Sequence, residues 1–408
     1  MIELNDREFI ARLKQLGIQL GHRDDKLLVS APTGLIDANL RAELARRKLT
    51  LIALLDTSAG PSETAIRSEQ GEDSLAPLTF AQQRLWLLDR IFPGNSAYNI
   101  PEAFVFDSAV DPDNLQEAAN MLIRRHTILT AGILDTGPEP RLRLGSVNSI
   151  PVETSDLSHL DESERMSEVL LRIREEGARP FDLTKPPLVR IHLYRLAAEL
   201  HVVFVNVHHI LADRWSVQIM RRELTALYRA AAKREPIHLK PLQMQYADYA
   251  RQERELLKSG RLSNQIEFWK KQLNAAPSIL ELPISGPRPV LQSFAGAVQS
   301  VAIEGQLYED LKSLAVQENA SLFITLLAAF ATLIFRYTGS QDFLIGSPVS
   351  GRNFVETEPL VGLFVNTLVL RLRARSNTSF RKFLRTVRST VLDAHENRDV
   401  PFQTLVEE

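Results

Sequence analysis

The sequence has no cysteine among its 408 residues. Disulfide bonds, metal sites built on thiolates and a cysteine nucleophile are therefore excluded. A chain without disulfides is typical of a reducing compartment, and we expect a cytoplasmic protein.

The sequence also lacks a charge imbalance, a signal peptide and a long apolar run. Its 48 basic and 50 acidic residues leave a formal net charge of −2, so nothing indicates binding to nucleic acid or to an anionic membrane. The N-terminal segment MIELNDREFIARLKQLG is charged and amphipathic, unlike a secretory signal. The apolar stretch SLFITLLAAFATLIFRYTG is short and closely bracketed by polar residues, so we interpret it as a core helix.

The most informative stretch is HVVFVNVHHILADRWS, residues 201–216. Its first ten residues are rich in β-branched side chains with period-two alternation, which predicts a buried strand. Alternation places His209 on one face and His208 on the other, so these neighbours cannot readily chelate one metal ion, and we expect no metal site. The following residues, SVQIMRRELTALYRAA, carry an apolar stripe at helical spacing, and Asp213 or Ser216 is a candidate N-cap.

A histidine at a strand end beside a helix N-terminus suits a site where an oxyanion develops, because helix N–H groups favour negative charge. A strand histidine is also common as a core residue, so the pattern alone leaves a structural and a catalytic interpretation open. No serine lies in a GxSxG turn, which argues against a covalent acyl-enzyme.

The segment HHILADRWS resembles the HHxxxDG signature of the condensation domains of nonribosomal peptide synthetases, whose superfamily includes chloramphenicol acetyltransferase-like enzymes. Other segments resemble further motifs of the family: PLTFAQQRLWLL, QYADYARQE, DFLIGSPVSGRN, GLFVNTLVLRLR and HENRDVPFQTLVEE. Arg214 stands where the signature has glycine. In RHTILTAGI, the residues Thr127, Thr130 and Ala131 replace the Glu, Arg and Thr of the family's RHExLRT segment. These departures predict a divergent subtype.

The resemblance implies a catalytic pair, His209 and His208, in which His209 is the central group that hydrogen-bonds to the attacking amine or accepts its proton. It also implies a structural ion pair between Asp213 and Arg352. The residues expected to line or tune the substrate tunnel are Arg214, Trp215, Ser216, Asn366 and Thr367. For Arg214 two interpretations are open: a side chain turned outward, or one that reaches the acceptor substrate.

The N-terminal residues read as a small αββα unit, and the segment from GIQL to LIALL resembles the N-terminal docking domains of tubulysin-type megasynthetases. That resemblance implies that the hairpin captures the C-terminal tail of an upstream polypeptide by strand addition, in a domain that is often a homodimer. The residues expected to bind this partner are Arg23, Lys26, Leu27, Leu28 and Val29. The alternative is that these charges form a solvated face.

The sequence as a whole predicts an α/β protein. We expect a docking domain at 1–57, a flexible linker at 58–75, and a two-lobed, V-shaped, chloramphenicol-acetyltransferase-like condensation domain with lobes at 76–240 and 241–408. Condensation domains of the family continue further, so the second lobe is expected to be incomplete at its C-terminus. The segment AGAVQSVAIEGQ, residues 295–306, is predicted to be a strand of that lobe.

The function implied by the resemblance is amide-bond formation between an acyl or peptidyl thioester on an upstream carrier domain and an aminoacyl thioester on a downstream carrier domain. No bound cofactor is expected, because the substrates arrive on the phosphopantetheine arms of the carriers. The alternative is a silent condensation-like module that recruits carrier proteins or tailoring enzymes. A third interpretation is a stand-alone acyltransferase that uses coenzyme A thioesters. The resemblance to a docking domain argues against it, because an enzyme with diffusible substrates has no need to capture an upstream chain. A heterocyclisation domain is not expected, because that branch of the family has DxxxxD where this chain has HHILAD.

Overall fold

A computed structural model describes residues 9, 13, 18–23, 26–30, 38–48, 50–51, 75–135, 137, 139–284, 286, 292–294 and 296–407. The chain divides into two compact units, the first comprising Met1–Leu78, Asn99–Arg251 and Arg352–Phe364, and the second the remaining segments. Both units contain helices and strands, so the predicted α/β class is confirmed. The predicted linker lies outside the described residues except for Leu75, which begins a strand.

The N-terminal region forms the predicted hairpin, in which β1 (Gln19–Arg23) pairs antiparallel with β2 (Lys26–Ser30). Helix α1 (Ala38–Arg46) follows. Of the first helix of the predicted αββα unit, only Phe9 and Leu13 are described; both are helical, and the rest lies outside the described residues. A small apolar core holds this region together: Phe9, Leu13, Ile18, Leu44 and Leu51, with Leu20, Val29 and Leu40 packed against it.

The first unit is built on a four-stranded sheet in the order β4-β9-β8-β7. Its strands are β4 (Asn99–Phe106), β7 (Val152–Asp156), β8 (Val189–Ala197) and β9 (Leu200–His208). Strand β7 runs parallel to β8, whereas the other pairs are antiparallel. Because β9 is a central strand, both of its faces are covered, and every residue from His201 to His208 is buried.

Helices cover this sheet and carry the residues that matter for the site. Helices α3 (Pro112–Arg125) and α5 (Arg214–Lys233) pack against each other, and α4 (Glu162–Ala178) packs against β4, β8 and β9. A smaller sheet has the order β3-β6-β5, with β3 at Leu75–Pro77, β5 at Gly132–Leu134 and β6 at Arg141–Arg143. Helix α6 (Tyr246–Lys258) begins in this unit and ends in the second.

The second unit contains a two-stranded antiparallel sheet of β10 (Asp342–Ser350) and β11 (Val365–Arg373). Its helices are α2 (Phe80–Ile91), α7 (Ser263–Leu273), α8 (Gly305–Gln317), α9 (Leu322–Thr338), α10 (Phe380–Glu396) and α11 (Phe402–Glu407). In the described part of the chain, no single helix is long and apolar enough to cross a membrane. Helices α8 and α9 reach that length only together, with a bend of 105° between them.

The strand predicted at 295–306 is wrong. Residues 296–304 are described and lie in no strand, and α8 begins at Gly305. Val298 and Val301 are 94% and 81% exposed. A strand is stabilised by hydrogen bonds to a neighbour, and among the described strands none pairs with this segment.

Candidate active site

The turn after β9 carries His209. Strand β9 ends at His208, and helix α5 has its N-cap at Asp213, whose carboxylate accepts from the N–H of Ser216 at 2.7 Å. Two backbone hydrogen bonds close the turn: Leu211 N–H donates to His208 O at 2.9 Å, and Ala212 N–H donates to His209 O at 3.3 Å. His209 is thus held between a buried strand and a capped helix.

The His209 ring is partly exposed, while its Nδ1 atom is buried and makes no hydrogen bond. In a serine-hydrolase triad, a carboxylate on this nitrogen orients the imidazole and stabilises its charged form. Among the described residues, none holds His209 Nδ1 in this way. This arrangement suits a group that positions an amine and accepts a proton, rather than one that activates a poor nucleophile.

His208 points into the protein and has a different environment. Its side chain is buried, and its Nδ1 accepts from Ile210 N–H at 3.1 Å. Burial, with a smaller contribution from the nearby His209, lowers the pKa of His208 to about 3. His208 is therefore neutral near pH 7 and fixes the turn. In the described residues, no three histidine or carboxylate side chains lie close enough to hold a metal ion.

Asp213, Arg352 and Ser216 meet in a buried network. Arg352 Nη2 lies 3.2 Å from Asp213 Oδ1 and 2.9 Å from Ser216 Oγ. The ion pair is nearly solvent-free, with side chains 3% and 5% exposed. Asp213 also accepts from Ser216 Oγ at 2.6 Å and from Phe364 N–H at 3.1 Å. These bonds satisfy the aspartate internally, which is the pattern of a structural carboxylate.

The partners of this network come from residues 352–364, which belong to the first unit although the adjoining strands β10 and β11 belong to the second. The Ser216 hydroxyl lies 2.8 Å from Gly362 O and accepts from Gly362 N–H at 3.0 Å. Tyr246 Oη donates to Leu363 O at 2.7 Å. A Cβ atom at Gly362 would overlap the Tyr246 ring, so only glycine fits there.

Arg214 and Trp215 begin α5 and make separate contacts. Arg214 is 79% exposed, and its Nη1 donates to Glu102 Oε1 on β4 at 2.6 Å. Trp215 is 52% exposed, and its Nε1 donates to Glu358 O at 3.0 Å. The structure thus favours the interpretation in which the Arg214 side chain is turned outward, with its charge balanced by Glu102.

Asn366 and Thr367 lie at the start of β11 in the second unit. Asn366 Nδ2 donates to the carbonyls of Arg398 and Val400, both at 2.9 Å. Its Oδ1 accepts from Thr367 N–H at 2.9 Å and from Phe402 N–H at 3.0 Å. The Asn366 amide is thus fully hydrogen-bonded within its own unit, which suits a positioning role.

The divergent residues after α3 are satisfied locally. Thr130 Oγ1 donates to Thr127 O at 2.6 Å and accepts from Gly145 N–H at 2.8 Å. Thr127 N–H donates to Gln245 Oε1 at 3.2 Å. The threonines thus have partners of their own, and this segment contributes no arginine side chain from the positions of Thr127, Thr130 and Ala131.

The residues predicted to bind a docking partner lie in the hairpin: Arg23 ends β1, and Lys26, Leu27, Leu28 and Val29 lie in β2. Val29 packs against the small N-terminal core. The other four side chains lie outside the described part of the protein.

Two carboxylates of the first unit were not anticipated from the sequence. Glu102 pairs with Arg214, and Glu223 on α5 is buried against Arg125 and His126. The helical stripe of α5 offers a signal for Glu223, because position 223 falls on the same face as Met220 and Leu227. Nothing local marks Glu102, whose partner is 112 residues away.

Comparison with family models matches residues 72–408 to the condensation domain and residues 7–56 to the TubC N-terminal docking domain. The chain is 36% identical over 355 residues to phosphinothricin tripeptide synthetase PhsC of Streptomyces viridochromogenes, covering 87% of this chain and 33% of that protein. It is 42% identical over 332 residues to one of the linear gramicidin synthase proteins of Brevibacillus parabrevis, covering 81% and 6%. The chain thus spans a third or less of these relatives.

Among solved structures, the chain is similar to the X-domain in its complex with OxyB from teicoplanin biosynthesis. The TM-score is 0.74 at 26% identity, over 82% of this chain and 73% of that one. The family model covers most of the sequence, and the signature residues stand together where β9 meets α5. The chain therefore belongs to the condensation domain family of nonribosomal peptide synthetases, and a TubC-type docking domain precedes its condensation domain.

Proposed function

We propose that this chain joins an acyl or peptidyl thioester on an upstream carrier domain to the amine of an aminoacyl thioester on a downstream carrier domain. The observation that carries the proposal is the state of His209, a partly exposed imidazole on a turn fixed at both ends. A thioester is already activated, so placing the amine against its carbonyl supplies much of the acceleration.

His209 acts on the attacking amine, as a hydrogen-bond partner or as the acceptor of its proton. The amine nitrogen forms the new bond to the thioester carbonyl carbon, and the carbon–sulfur bond breaks. The donor arm leaves as the free thiol, which takes up the proton that the amine loses. His208, Asp213, Arg352 and Ser216 hold the turn and the start of α5, and they act as positioning residues. The phosphopantetheine arms are parts of the substrates.

Two further residues of the first unit tune the site, since Trp215 and Arg214 extend from the first turn of α5. In the second unit, Asn366 and Thr367 order the start of β11. Because Glu102 balances the Arg214 charge, Arg214 gives no preference for an acceptor substrate that carries a carboxylate.

The docking domain supplies the upstream partner. Strand β2 pairs with β1 along one edge, and no other described strand pairs with it, so its second edge offers backbone groups to an extended tail. Arg23 and Lys26 supply positive charge for an acidic tail. Slower amide exchange at residues 26–30 on addition of a peptide of alternating acidic and apolar residues tests this; unchanged exchange contradicts it.

The full chain is tested with two separate carrier domains, one loaded with an N-acetyl-aminoacyl thioester and the other with an aminoacyl thioester. Intact-protein mass spectrometry follows transfer to the acceptor carrier. We expect the acceptor to gain the acyl mass while the donor carrier returns to the free thiol. No transfer from any member of a panel of loaded donors, by a folded protein, would contradict the proposal.

A second candidate is a silent module that recruits other proteins. It is favoured by the similarity to the X-domain, which was solved in complex with OxyB, and by arginine in place of the signature glycine. Failure of transfer together with retained binding of loaded carriers supports this second function.

A further inference from the structure

Glu223 is a buried carboxylate outside the signature. It lies on α5, two turns beyond Ser216, and its side chain is 2% exposed. Glu223 Oε2 accepts from Arg125 Nε at 2.9 Å and lies 2.8 Å from His126 Nε2. Arg125 also donates to Lys240 O at 2.7 Å. The carboxylate thus accepts from a half-buried arginine and a buried histidine at the end of α3.

The His126 ring links this carboxylate to residues 352–364. Its Nδ1 lies 3.4 Å from Val361 N–H, so one neutral tautomer serves both neighbours: Nε2–H donates to Glu223 and Nδ1 accepts from Val361. The side chain is 1% exposed, and this burial places the pKa of His126 below its ordinary value despite the opposing effect of Glu223. The neutral form therefore prevails near pH 7.

Val361 belongs to a run of five residues, 360–364, that are all held through their backbones. Leu360 O accepts from Arg352 at 2.9 Å, Gly362 O accepts from Asp213 N–H at 3.1 Å, and Phe364 N–H donates to the Asp213 carboxylate. Leu363 O and Gly362 N–H bind Tyr246 and Ser216. This run therefore sets the position of Asp213, which ends the turn that carries His209.

We propose that Glu223 is a positioning residue for amide formation at His209, acting through His126 and the backbone of residues 360–364. This inference rests on the proposed function. Glu223 touches no reacting atom. Loss of the Glu223 carboxylate leaves Arg125 Nε and His126 Nε2 without this acceptor, and it frees the His126 ring that holds Val361. The turn at Asp213 then loosens while the fold remains.

Three variants of the full chain separate positioning from stability. Glu223→Leu removes the acceptor, Glu223→Gln keeps an oxygen for both donors, and Leu224→Ala is the matched control. Leu224 is the next residue on α5, is buried, and lines a small apolar cavity with Phe104 and Val203. Its truncation weakens the fold by removing apolar packing, and the leucine side chain makes no hydrogen bond to residues 360–364.

Each variant is measured in two ways. Amide formation between an N-acetyl-alanyl carrier and a glycyl carrier gives kcat and KM for the acceptor. Hydrogen exchange gives the protection of the Val361, Gly362 and Phe364 amides. We expect Glu223→Leu to lower kcat by about 10- to 100-fold with a smaller change in KM and to lose protection at these amides. Glu223→Gln should keep most of the wild-type kcat and most of the amide protection. Leu224→Ala should change neither quantity per folded molecule.

A wild type that makes no amide overturns the proposed function. An active wild type with an equally active, folded Glu223→Leu variant overturns only this inference. An equal loss of kcat in Leu224→Ala and Glu223→Leu also overturns it, because the effect is then one of general stability.

Discussion

Arg214 Nη1 donates to Glu102 Oε1 at 2.6 Å, which joins the first residue of α5 to the neighbouring strand β4. The arginine at the signature's glycine position is therefore half of an ion pair. The Arg214 side chain is 79% exposed, so solvent screens the pair and its contribution to stability is small, under about 1 kcal/mol.

This pair predicts how Arg214 affects acceptor choice. Arg214→Gly should change amide formation with aspartyl and alanyl acceptors by similar factors, because Glu102 already compensates the charge. Glu102→Gln should raise the relative rate with the aspartyl acceptor, since it leaves the arginine unpaired. The measurement is the ratio of kcat/KM for the two loaded acceptors. A selective loss of the aspartyl acceptor in Arg214→Gly would show that the arginine binds substrate.

The Asp213–Arg352 pair predicts a large stability effect. Both side chains are nearly solvent-free, so Arg352→Met leaves a buried carboxylate without its cation. We expect the free energy of unfolding to fall by about 3–5 kcal/mol, measured by urea denaturation. Arg174→Met, at an exposed position on α4, is the matched control and should have little effect. Equal effects of the two variants would mean that the pair has no structural importance.

The close packing of Gly362 against Tyr246 predicts that even one methyl group is too large. Gly362→Ala forces the aromatic ring or residues 352–364 to move, and we expect a loss of about 2–3 kcal/mol. Gly296→Ala adds the same methyl group in open space and should leave the melting temperature unchanged. An unchanged melting temperature for Gly362→Ala would contradict this close packing.

His208 predicts a pH dependence of stability. Burial and the neighbouring His209 lower its pKa to about 3, whereas the unfolded chain titrates near the ordinary histidine value of about 6.5. Between these pH values the unfolded state binds a proton that the folded state does not. The free energy of unfolding therefore falls as the pH drops through this window.

His208→Asn keeps an acceptor for Ile210 N–H but cannot titrate, so its unfolding free energy should fall less steeply between pH 6.5 and 4. His126, His192 and His395, whose pKa values are also lowered, are common to both proteins and cancel in the comparison. Parallel pH profiles for the two proteins would show that His208 is protonated in the folded state.

Strand β9 and helix α5 were predictable because each carries its signal locally. Period-two alternation identifies the strand: Val202 and Phe204 share one core cluster, whereas Val203 lines a small cavity with Phe104. The strand ends at His208, so His209, which was predicted on the strand, lies in the turn after it. Of the two candidate N-caps, Asp213 is the one that caps α5. A cap and an apolar stripe need only the residues of the helix itself.

Long-range partners were not predictable in the same way. Nothing near Arg214 in sequence indicates Glu102, and three of the hydrogen bonds of Asn366 are made with residues 398–402. The strand predicted at 295–306 failed for a related reason, because alternation shows that a segment can form a strand but does not supply the neighbour that it needs.

If His209 acts on the attacking amine during amide formation, its removal slows a single turnover of acyl transfer. Each protein is mixed in excess over the loaded donor and acceptor carriers, and acyl transfer is followed with time. The proteins compared are wild type, His209→Ala and the control His238→Ala, which replaces an exposed histidine. We expect His209→Ala to slow transfer by about 100-fold or more, and His238→Ala to match wild type. Transfer by folded His209→Ala at the wild-type rate would contradict this role of His209.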